Sequence, residues 1–128
     1  MIISFDYSRD YDPPAPMVDA TLSTAAEGLR VGPLPFFVDG GADGTIVPLS
    51  YLERIQAPPT DEMRIRSQWG ERRRVYLYLV DIQIGDLTLH SLEVVGDPDS
   101  DEAILGRDAL NQLRVLLDGL GESVEISR

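Results

Sequence analysis

One acidic residue has a setting suited to acid–base chemistry. Asp39 follows the apolar run 36–38 (Phe-Phe-Val) and precedes the small residues 40–42 (Gly-Gly-Ala). The run predicts a buried strand, and the small residues predict a sharp turn directly after it. Desolvation at the end of such a strand raises the cost of ionising a carboxyl group. Asp39 is therefore a candidate for catalysis by proton transfer.

A second motif lies well downstream, where an apolar pair is followed by glycine. It reads Ile104-Leu105-Gly106 and continues into Arg107 and Asp108. The pattern predicts the end of a strand followed by a short helix over residues 108–113. Asp-Gly-Gly alone is common in turns, so each motif by itself is a weak signal. The order of the two motifs, with strand-rich sequence between them, makes the signal stronger.

Together the two motifs resemble the retropepsin-like (retroviral-type) aspartic protease family over roughly residues 15–120. Asp39 stands where the family has its catalytic Asp. Two loop residues and three residues of the later motif also match the family pattern: Gly41, Ala42, Ile104, Leu105 and Gly106. The family has Thr or Ser where this chain has Gly40.

The resemblance implies an aspartic endopeptidase that works through two carboxylates sharing one proton. The chain carries the loop once, so the second Asp39 has to come from a second copy. A two-fold homodimer with the site on its axis is therefore expected. The expected substrate is a peptide or an unfolded protein segment, and no metal or other cofactor is required.

Further residues take their roles from the same resemblance. Asp43 and Arg107 match the family's supporting ion pair beside the site, which is equally compatible with an ordinary structural salt bridge. Trp69 and Gly70 stand at the tip of two strand-like arms that match the flap closing over substrate. Packing of Trp69 on the barrel is an equally weighted alternative.

Gly40 is the departure from the family pattern that matters most. The family's hydroxyl at this position braces the two catalytic loops across the dimer axis, and glycine cannot form that hydrogen bond. We expect a weaker dimer and a looser pair of carboxylates, since one hydrogen bond contributes about 1 kcal/mol net. The alternative hypothesis is a catalytically silent dimer of the same fold that binds or scaffolds peptides by strand addition.

Composition narrows the classes of partner. A net charge of −11 disfavours nucleic acid and anionic membranes. No apolar run is long enough to span a bilayer, and the first residues lack the pattern of a secretory signal. The chain has no cysteine, which excludes disulfides and thiol catalysis and fits a cytoplasmic protein.

The pattern along the chain predicts an all-β domain, closed or sandwich-like, with one short late helix. The resemblance implies that it is a single closed, barrel-like acid protease domain with a flap hairpin. Residues 1–16 are interpreted as a Pro-rich N-terminal tail and residues 17–128 as the retropepsin-like domain. Strand-like arms are expected at 63–68 and 72–84, with little solvent exposure in the second. Other predicted elements are a helical turn over 50–55 capped by Ser50, a two-residue turn at Gly85-Asp86 and a last buried strand at 115–117.

Three other groups of residues allow weaker hypotheses. Asp97, Asp99 and Asp101 have the spacing of a calcium loop, but the glycine needed at its sixth position is absent, which favours a solvated acidic loop. His90 is the only histidine, and with no nucleophile motif near it we interpret it as structural. The arginines at 64, 66 and 72–74 indicate either a solvated hairpin, which the pattern favours, or a basic lip for acidic partners.

Overall fold

The computed structural model describes residues 1–24, 28–66 and 72–128. Ten strands and two short helices occur in these ranges. The strands are β1 (Ile3–Asp6), β2 (Met17–Ser23), β3 (Arg30–Val38), β4 (Ile46–Pro48), β5 (Pro59–Arg66), β6 (Arg72–Ile84), β7 (Leu87–Asp97), β8 (Ala103–Leu105), β9 (Arg114–Asp118) and β10 (Ser123–Ser127). The helices are α1 (Leu49–Arg54) and α2 (Arg107–Leu110).

The larger sheet closes on itself. It has seven strands in the order β2-β3-β8-β4-β7-β6-β5, and β2 also pairs with β6. Because that pairing joins the first strand in this order to the sixth, the six strands other than β5 form a closed ring, and β5 pairs with β6 outside it. The all-β, closed-barrel prediction is confirmed.

The barrel interior is filled by aliphatic side chains and one phenylalanine. Alternation along β2 and β10 sends every second residue inward, as a half-buried strand requires. The largest fully buried side chains include Phe36, Leu22, Leu52, Ile82, Leu89 and Leu105. Burying side chains of this size contributes about 2 kcal/mol each. The core therefore holds the ends of β3 and β8 in fixed positions.

The long strand β6 is less buried than its sequence indicates. Tyr76 is 45% exposed and Leu79 is 37% exposed, so the expectation of little solvent exposure is wrong for its first half. The register shift between Val80 and Ile82 puts the extra residue in β7, so the buried face changes along β7, between Leu89 and Leu92, while Val80, Ile82 and Ile84 stay on one face of β6. The turn at Gly85-Asp86 is found as expected, with Gly85 at φ +56°.

The late helix is present, and an earlier helix precedes it. α2 covers Arg107–Leu110, within and just before the range that the sequence predicts. α1 begins one residue earlier than expected, after Pro48, and no side chain caps it. The Ser50 cap is therefore wrong: Ser50 lies inside the first turn, where its hydroxyl is past the capping position.

The N-terminal residues, interpreted as a tail, contain a strand. β1 pairs antiparallel with β10, and β9 completes this second, three-stranded sheet in the order β1-β10-β9. Phe5 and Tyr7 pack against the core. Further along, Ala15 is buried, and the Tyr11 ring meets Phe37 edge-on. The hydroxyl of Tyr11 donates to Glu102 at 3.0 Å, and this hydrogen bond raises the pKa of Tyr11.

The last buried strand is not the one that the sequence indicates. Leu116 and Leu117, in β9, are 55% and 50% exposed, whereas Val124 and Ile126, in β10, are fully buried. The prediction for residues 115–117 is therefore wrong in burial, although they do form a strand. The reason is position: β10 lies in the middle of its sheet and β9 at the edge. In the described ranges, no helix is long and apolar enough to cross a membrane.

Candidate active site

The loop that carries Asp39 joins two strands that lie on either side of a third. β8 pairs in parallel with β3 and antiparallel with β4, so it lies between them. Ile104 is the shared position, opposite Phe37 on one side and Ile46 on the other. The chain leaving β3 must therefore pass over the end of β8 before it enters β4. This brings the two predicted motifs together.

Asp39 is held by backbone hydrogen bonds on both sides. Its N–H donates to the Leu105 carbonyl at 3.1 Å, which continues the β3–β8 pairing by one residue. Its own carbonyl accepts from Ala42 N–H at 3.2 Å, closing the turn. The side-chain Oδ1 accepts from Gly41 N–H at 2.9 Å. The carboxylate is thus oriented by its own loop while it remains partly exposed to solvent.

The two glycines of the loop have different surroundings. A Cβ at Gly41 would lie 3.2 Å from Oδ1 of Asp39, so a side chain there would press on the carboxylate. A Cβ at Gly40 would meet nothing within 4 Å. Neither glycine has a positive φ, so neither is required by backbone conformation. Glycine is favoured at position 41 because a larger side chain would crowd the Asp39 carboxylate. Position 40 has no such neighbour.

Arg107 connects the second motif to the loop through three contacts. Its backbone N–H donates to the Ala42 carbonyl at 2.8 Å, and its Nη1 donates to the Gly40 carbonyl at 3.1 Å. Its Nη2 forms an ion pair with Oδ1 of Asp43. The side chains of Arg107 and Asp43 are 46% and 93% exposed, so solvent screens the pair and it adds little stability. Its effect is to fix the path of the loop.

A buried hydroxyl ties the far end of the loop to α2. Thr45 is fully buried and donates through Oγ1 to Oδ1 of Asp108 at 2.7 Å. The same Oγ1 accepts from Gly106 N–H at 3.1 Å, and Asp108 Oδ1 also accepts from Ala109 N–H. The sequence pattern predicts Asp108 only as part of a short helix and does not single out Thr45. A polar residue next to the apolar run 46–47 is the one local signal for this contact.

Gly106 has no room for a side chain. A Cβ there would lie 2.4 Å from the carbonyl carbon and oxygen of Gly44 and 3.0 Å from the Ala42 oxygen. These atoms are backbone, so they cannot rotate away. The close approach is what lets the loop cross over the end of β8. The glycine of the second motif thus has a packing reason of its own.

The remaining sequence-predicted residues include two that the structure does not describe. Trp69 and Gly70 fall outside the described residues, and the flap hypothesis for them stays a prediction. Among the arginines of the same region, Arg74 forms an ion pair with Glu62 at 2.6 Å. His90 is on the surface, 3.4 Å from Oδ2 of Asp81.

The three acidic residues with calcium-loop spacing lie at the end of β7 (Asp97) and in the loop after it (Asp99 and Asp101). Oδ1 of Asp97 accepts a hydrogen bond from Asp99 N–H at 2.9 Å, as in a solvated turn. Within the ranges that the structure describes, no group of three or more His, Asp or Glu side chains is arranged to hold a metal ion.

A closed barrel with an Asp-bearing loop crossing over a Gly-terminated strand defines a retropepsin-like aspartic protease fold. The chain belongs to the gag-polyprotein putative aspartyl protease family, whose model matches residues 30–112. This match contains both motifs, from β3 to the residues just after α2. The sequence matches none of the curated proteins.

Solved structures give the same fold. A retropepsin-like aspartic protease from Rickettsia conorii superposes with a TM-score of 0.70 over 98% of this chain and 90% of that one, at 16% identity. EIAV protease in complex with the inhibitor HBY-793 gives a TM-score of 0.56 over 84% and 93%, at 18% identity. The protease of simian foamy virus (mac) gives 0.53 over 74% and 91%, at 21% identity. At these identities the likeness is one of fold.

Proposed function

We propose that this protein is a homodimeric aspartic endopeptidase that hydrolyses peptide bonds through Asp39 of each subunit. The observation that carries the proposal is the carboxylate of Asp39, which is partly exposed and oriented by Gly41 N–H at 2.9 Å. The loop that carries it is held by Arg107, which contacts the Gly40 carbonyl and forms an ion pair with Asp43. The chain supplies this loop once, so a second copy has to bring the second carboxylate.

In the proposed reaction the two Asp39 carboxyl groups share one proton. Two carboxylates at close range cannot both ionise, so one is a base and the other an acid at the working pH. The ionised Asp39 takes a proton from water as the water oxygen attacks the peptide carbonyl carbon. The protonated Asp39 donates its proton to the carbonyl oxygen. A proton then passes to the amide nitrogen, and the C–N bond breaks to give an acid and an amine.

The neighbours of Asp39 have roles that follow from their contacts. Gly41 leaves space beside Oδ1 and donates the hydrogen bond that orients it. Arg107 and Asp43 hold the loop from the side of α2. Thr45 and Asp108 hold its far end from within the core. Positioning of this kind contributes to catalysis because the reacting groups are already oriented when substrate binds.

The test is cleavage of a diverse peptide mixture by purified protein from acid to neutral pH, at high protein concentration. Asp39→Asn keeps the shape of the side chain and removes its proton chemistry, so we expect cleavage to fall by at least about a hundredfold. Asp86→Asn, in the exposed turn between β6 and β7, is the matched control and should cleave normally. Cleavage that survives Asp39→Asn would overturn the proposal.

Gly40 supports a second candidate, a silent dimer of the same fold that holds an extended peptide without cutting it. Glycine at position 40 supplies no hydroxyl, although a Cβ there would meet nothing within 4 Å. The two functions are separated by measuring peptide binding and cleavage on the same samples. Binding without cleavage in both the parent protein and Asp39→Asn would favour the silent module. Loss of cleavage with retained binding in Asp39→Asn would favour the enzyme.

A further inference from the structure

The face of β3 and β8 that points away from the core lies beside Asp39. Phe36 and Leu105 are fully buried in the barrel, whereas Phe37 and Ile104 are only half-buried and lie directly opposite each other. Side chains alternate along a strand, so Phe37 and Ile104 lie on the outer face. The pairing continues to Asp39, which is the next alternate position after Phe37. An apolar patch therefore adjoins the candidate catalytic carboxylate.

Tyr11, in the N-terminal segment, extends this patch with a second aromatic ring. Its ring meets that of Phe37 edge-on, with 5.8 Å between the centroids and 82° between the planes. The segment is held in place by two hydrogen bonds between Ser8 and Ala15, with N–O distances of 2.8 and 3.0 Å, and Ala15 is buried. The ring of Tyr11 is thus positioned by its own segment next to the strand that leads into Asp39.

A carboxylate lies at the edge of the ring pair. The Tyr11 hydroxyl donates to Oε1 of Glu102 at 3.0 Å, and Glu102 is an exposed residue directly before β8. Tyr11 is neutral, so this hydrogen bond orients the carboxylate without cancelling its charge, unlike the ion pair of Asp43 with Arg107. In the residues that the structure describes, Glu102 takes part in no ion pair. A carboxylate accepts several hydrogen bonds, so it can take a further donor.

Other acidic residues strengthen the negative field at this edge. The hydrogen bond to Glu102 is the main cause of the raised pKa of Tyr11, and the charges of Glu102, Asp10 and Asp101 raise it further. Those carboxylates are therefore close enough to act on the Tyr11 hydroxyl. The whole chain also carries a net charge of −11. A positive group is favoured beside the ring pair.

The ring pair is within reach of a peptide bound at Asp39. A strand rises by about 3.3 Å per residue, so the backbones of Phe37 and Asp39 are about 7 Å apart along β3. An extended peptide has the same rise. A substrate side chain within about two residues of the bond that Asp39 attacks can therefore lie against Phe37 and Tyr11.

The chemistry of these neighbours fits a long basic side chain. Lysine and arginine lay their apolar stems along apolar surface and keep the charged end in a polar setting. The rings of Tyr11 and Phe37 offer that surface and also attract a cation through their faces. Glu102 offers an opposite charge at the edge. An acidic side chain in the same place would be repelled by Glu102, and a neutral one would gain only the contact with the rings.

We propose that Tyr11 and Glu102 are specificity-determining residues, which select a lysine or arginine side chain within about two residues of the bond that is cut. This inference rests on the proposed function, because it names the substrate class of the same site. Tyr11 lies outside residues 30–112, which the family model matches. The selectivity is therefore argued from the N-terminal segment of this chain and not from its family.

The test uses peptides that share one cleaved sequence and differ at one position near the cut bond, which holds Lys, Gln or Glu. With the parent protein, kcat/KM should be at least about ten-fold higher for the Lys peptide than for the Glu peptide, with the Gln peptide between them. Equal values for the three peptides at every position within two residues of the bond would overturn the inference.

Two substitutions of Glu102 test the charge directly. Glu102→Gln keeps an oxygen that can accept from Tyr11 and removes the charge, so kcat/KM for the Lys peptide should fall about five-fold while the Gln peptide is cut as before. Glu102→Lys should reverse the order of the Lys and Glu peptides. An unchanged order in Glu102→Lys would overturn the assignment of Glu102.

Tyr11→Phe and Glu53→Gln complete the set. Tyr11→Phe keeps the ring and loses the hydroxyl that orients Glu102, so the preference for Lys should fall by about two-fold. Glu53→Gln, at an exposed position of α1, removes the same charge outside this cluster and should leave the preference unchanged. If Glu53→Gln weakens the preference as much as Glu102→Gln, the preference comes from net charge and the inference is wrong.

Peptide binding separates this inference from the proposed function. Fluorescently labelled forms of the three peptides are titrated with Asp39→Asn, and with Asp39→Asn that also carries Glu102→Gln. If the Lys peptide binds more tightly than the Glu peptide only while Glu102 is present, and the parent cuts none of them, the endopeptidase proposal is wrong and the specificity site stands. If the parent cuts all three equally and Asp39→Asn cuts none, the endopeptidase proposal stands and the specificity site is wrong.

Discussion

The loop at the end of β3 and the edge strand β9 differ in how far one chain completes them. Around the loop, the backbone of Asp39, Ala42 and Arg107 is hydrogen-bonded, and Gly106 leaves no space for a methyl group. Along β9, two leucines are half exposed and one side of the strand is the edge of the sheet. The contrast teaches that contacts within one protomer shape the loop that carries Asp39. What the protomer leaves open, in the part of the chain that the structure describes, is the edge of β9.

The contrast predicts that substitutions in the loop lower the free energy of unfolding of the protomer, whereas substitutions at exposed positions of β9 weaken self-association. Effects on folding are measured as the free energy of unfolding of dilute protein, at a concentration where the protomer is monomeric. A large loss of unfolding free energy from an exposed β9 substitution, or no loss from a loop substitution, would contradict this difference between the two regions.

Gly106→Ala should give the largest effect. The added Cβ would lie 2.4 Å from the backbone carbonyl of Gly44, which cannot move without displacing the loop. We expect a loss of about 3 kcal/mol in unfolding free energy, measured by urea denaturation. Gly40→Ala is the control, because a Cβ there has nothing within 4 Å. If both variants are equally stable, the close packing of the loop over β8 is wrong.

Thr45→Val should come second. The substitution keeps the side-chain shape and removes the hydroxyl that donates to Asp108 and accepts from Gly106 N–H, leaving that buried N–H without a partner. We expect a loss of about 2 kcal/mol, which is the usual cost of an unsatisfied buried group. Thr45→Ser retains the hydroxyl and should lose less. Equal losses would mean that the methyl group, and not the hydrogen bonds, is what matters at this position.

How much of this could be read from the sequence depends on the range of each interaction. Asp39 and the 104–106 motif were found because a strand followed by small residues is a local pattern. An all-β domain followed from many short strands, and the closed barrel followed from the family resemblance. The Thr45–Asp108 contact joins residues 63 positions apart, and no local pattern encodes it. Val115, Leu116 and Leu117 are all apolar, so they show no alternation from which an edge strand could be told from a central one.

The same limit explains the N-terminal residues. The Pro-rich stretch 13–16 marks a break between strands, and it was interpreted as a tail because the partner of β1 lies at the other end of the chain. Ile3 pairs with Ile126, a contact that only the tertiary fold defines. Gly40 illustrates a different case: its departure from the family pattern is visible in the sequence, but the open space around it is visible only in the structure.

Gly40→Thr should change the protomer little and the dimer more. The position has an ordinary backbone conformation and open space, so replacing glycine should raise the unfolding free energy by about 0.5 kcal/mol through a less flexible unfolded chain. The new hydroxyl is expected to strengthen self-association and raise the cleavage rate. Gly40→Ala separates the two effects, because it changes chain flexibility without adding a hydroxyl. If association and cleavage are the same in all three proteins, the expectation that Gly40 weakens the dimer is wrong.

Leu116→Thr should have the smallest effect on folding and still disrupt the dimer. The side chain is 55% exposed, and threonine retains a high preference for strands, so dilute protein should lose no more than about 0.5 kcal/mol. Ile126→Thr makes a similar change in the buried strand β10 and should cost about 3 kcal/mol. Sedimentation of concentrated Leu116→Thr should give a monomer where the parent gives a dimer. A monomeric variant of normal stability would establish that this edge is reserved for a partner, whereas an unstable variant would mean that Leu116 belongs to the protomer's own core.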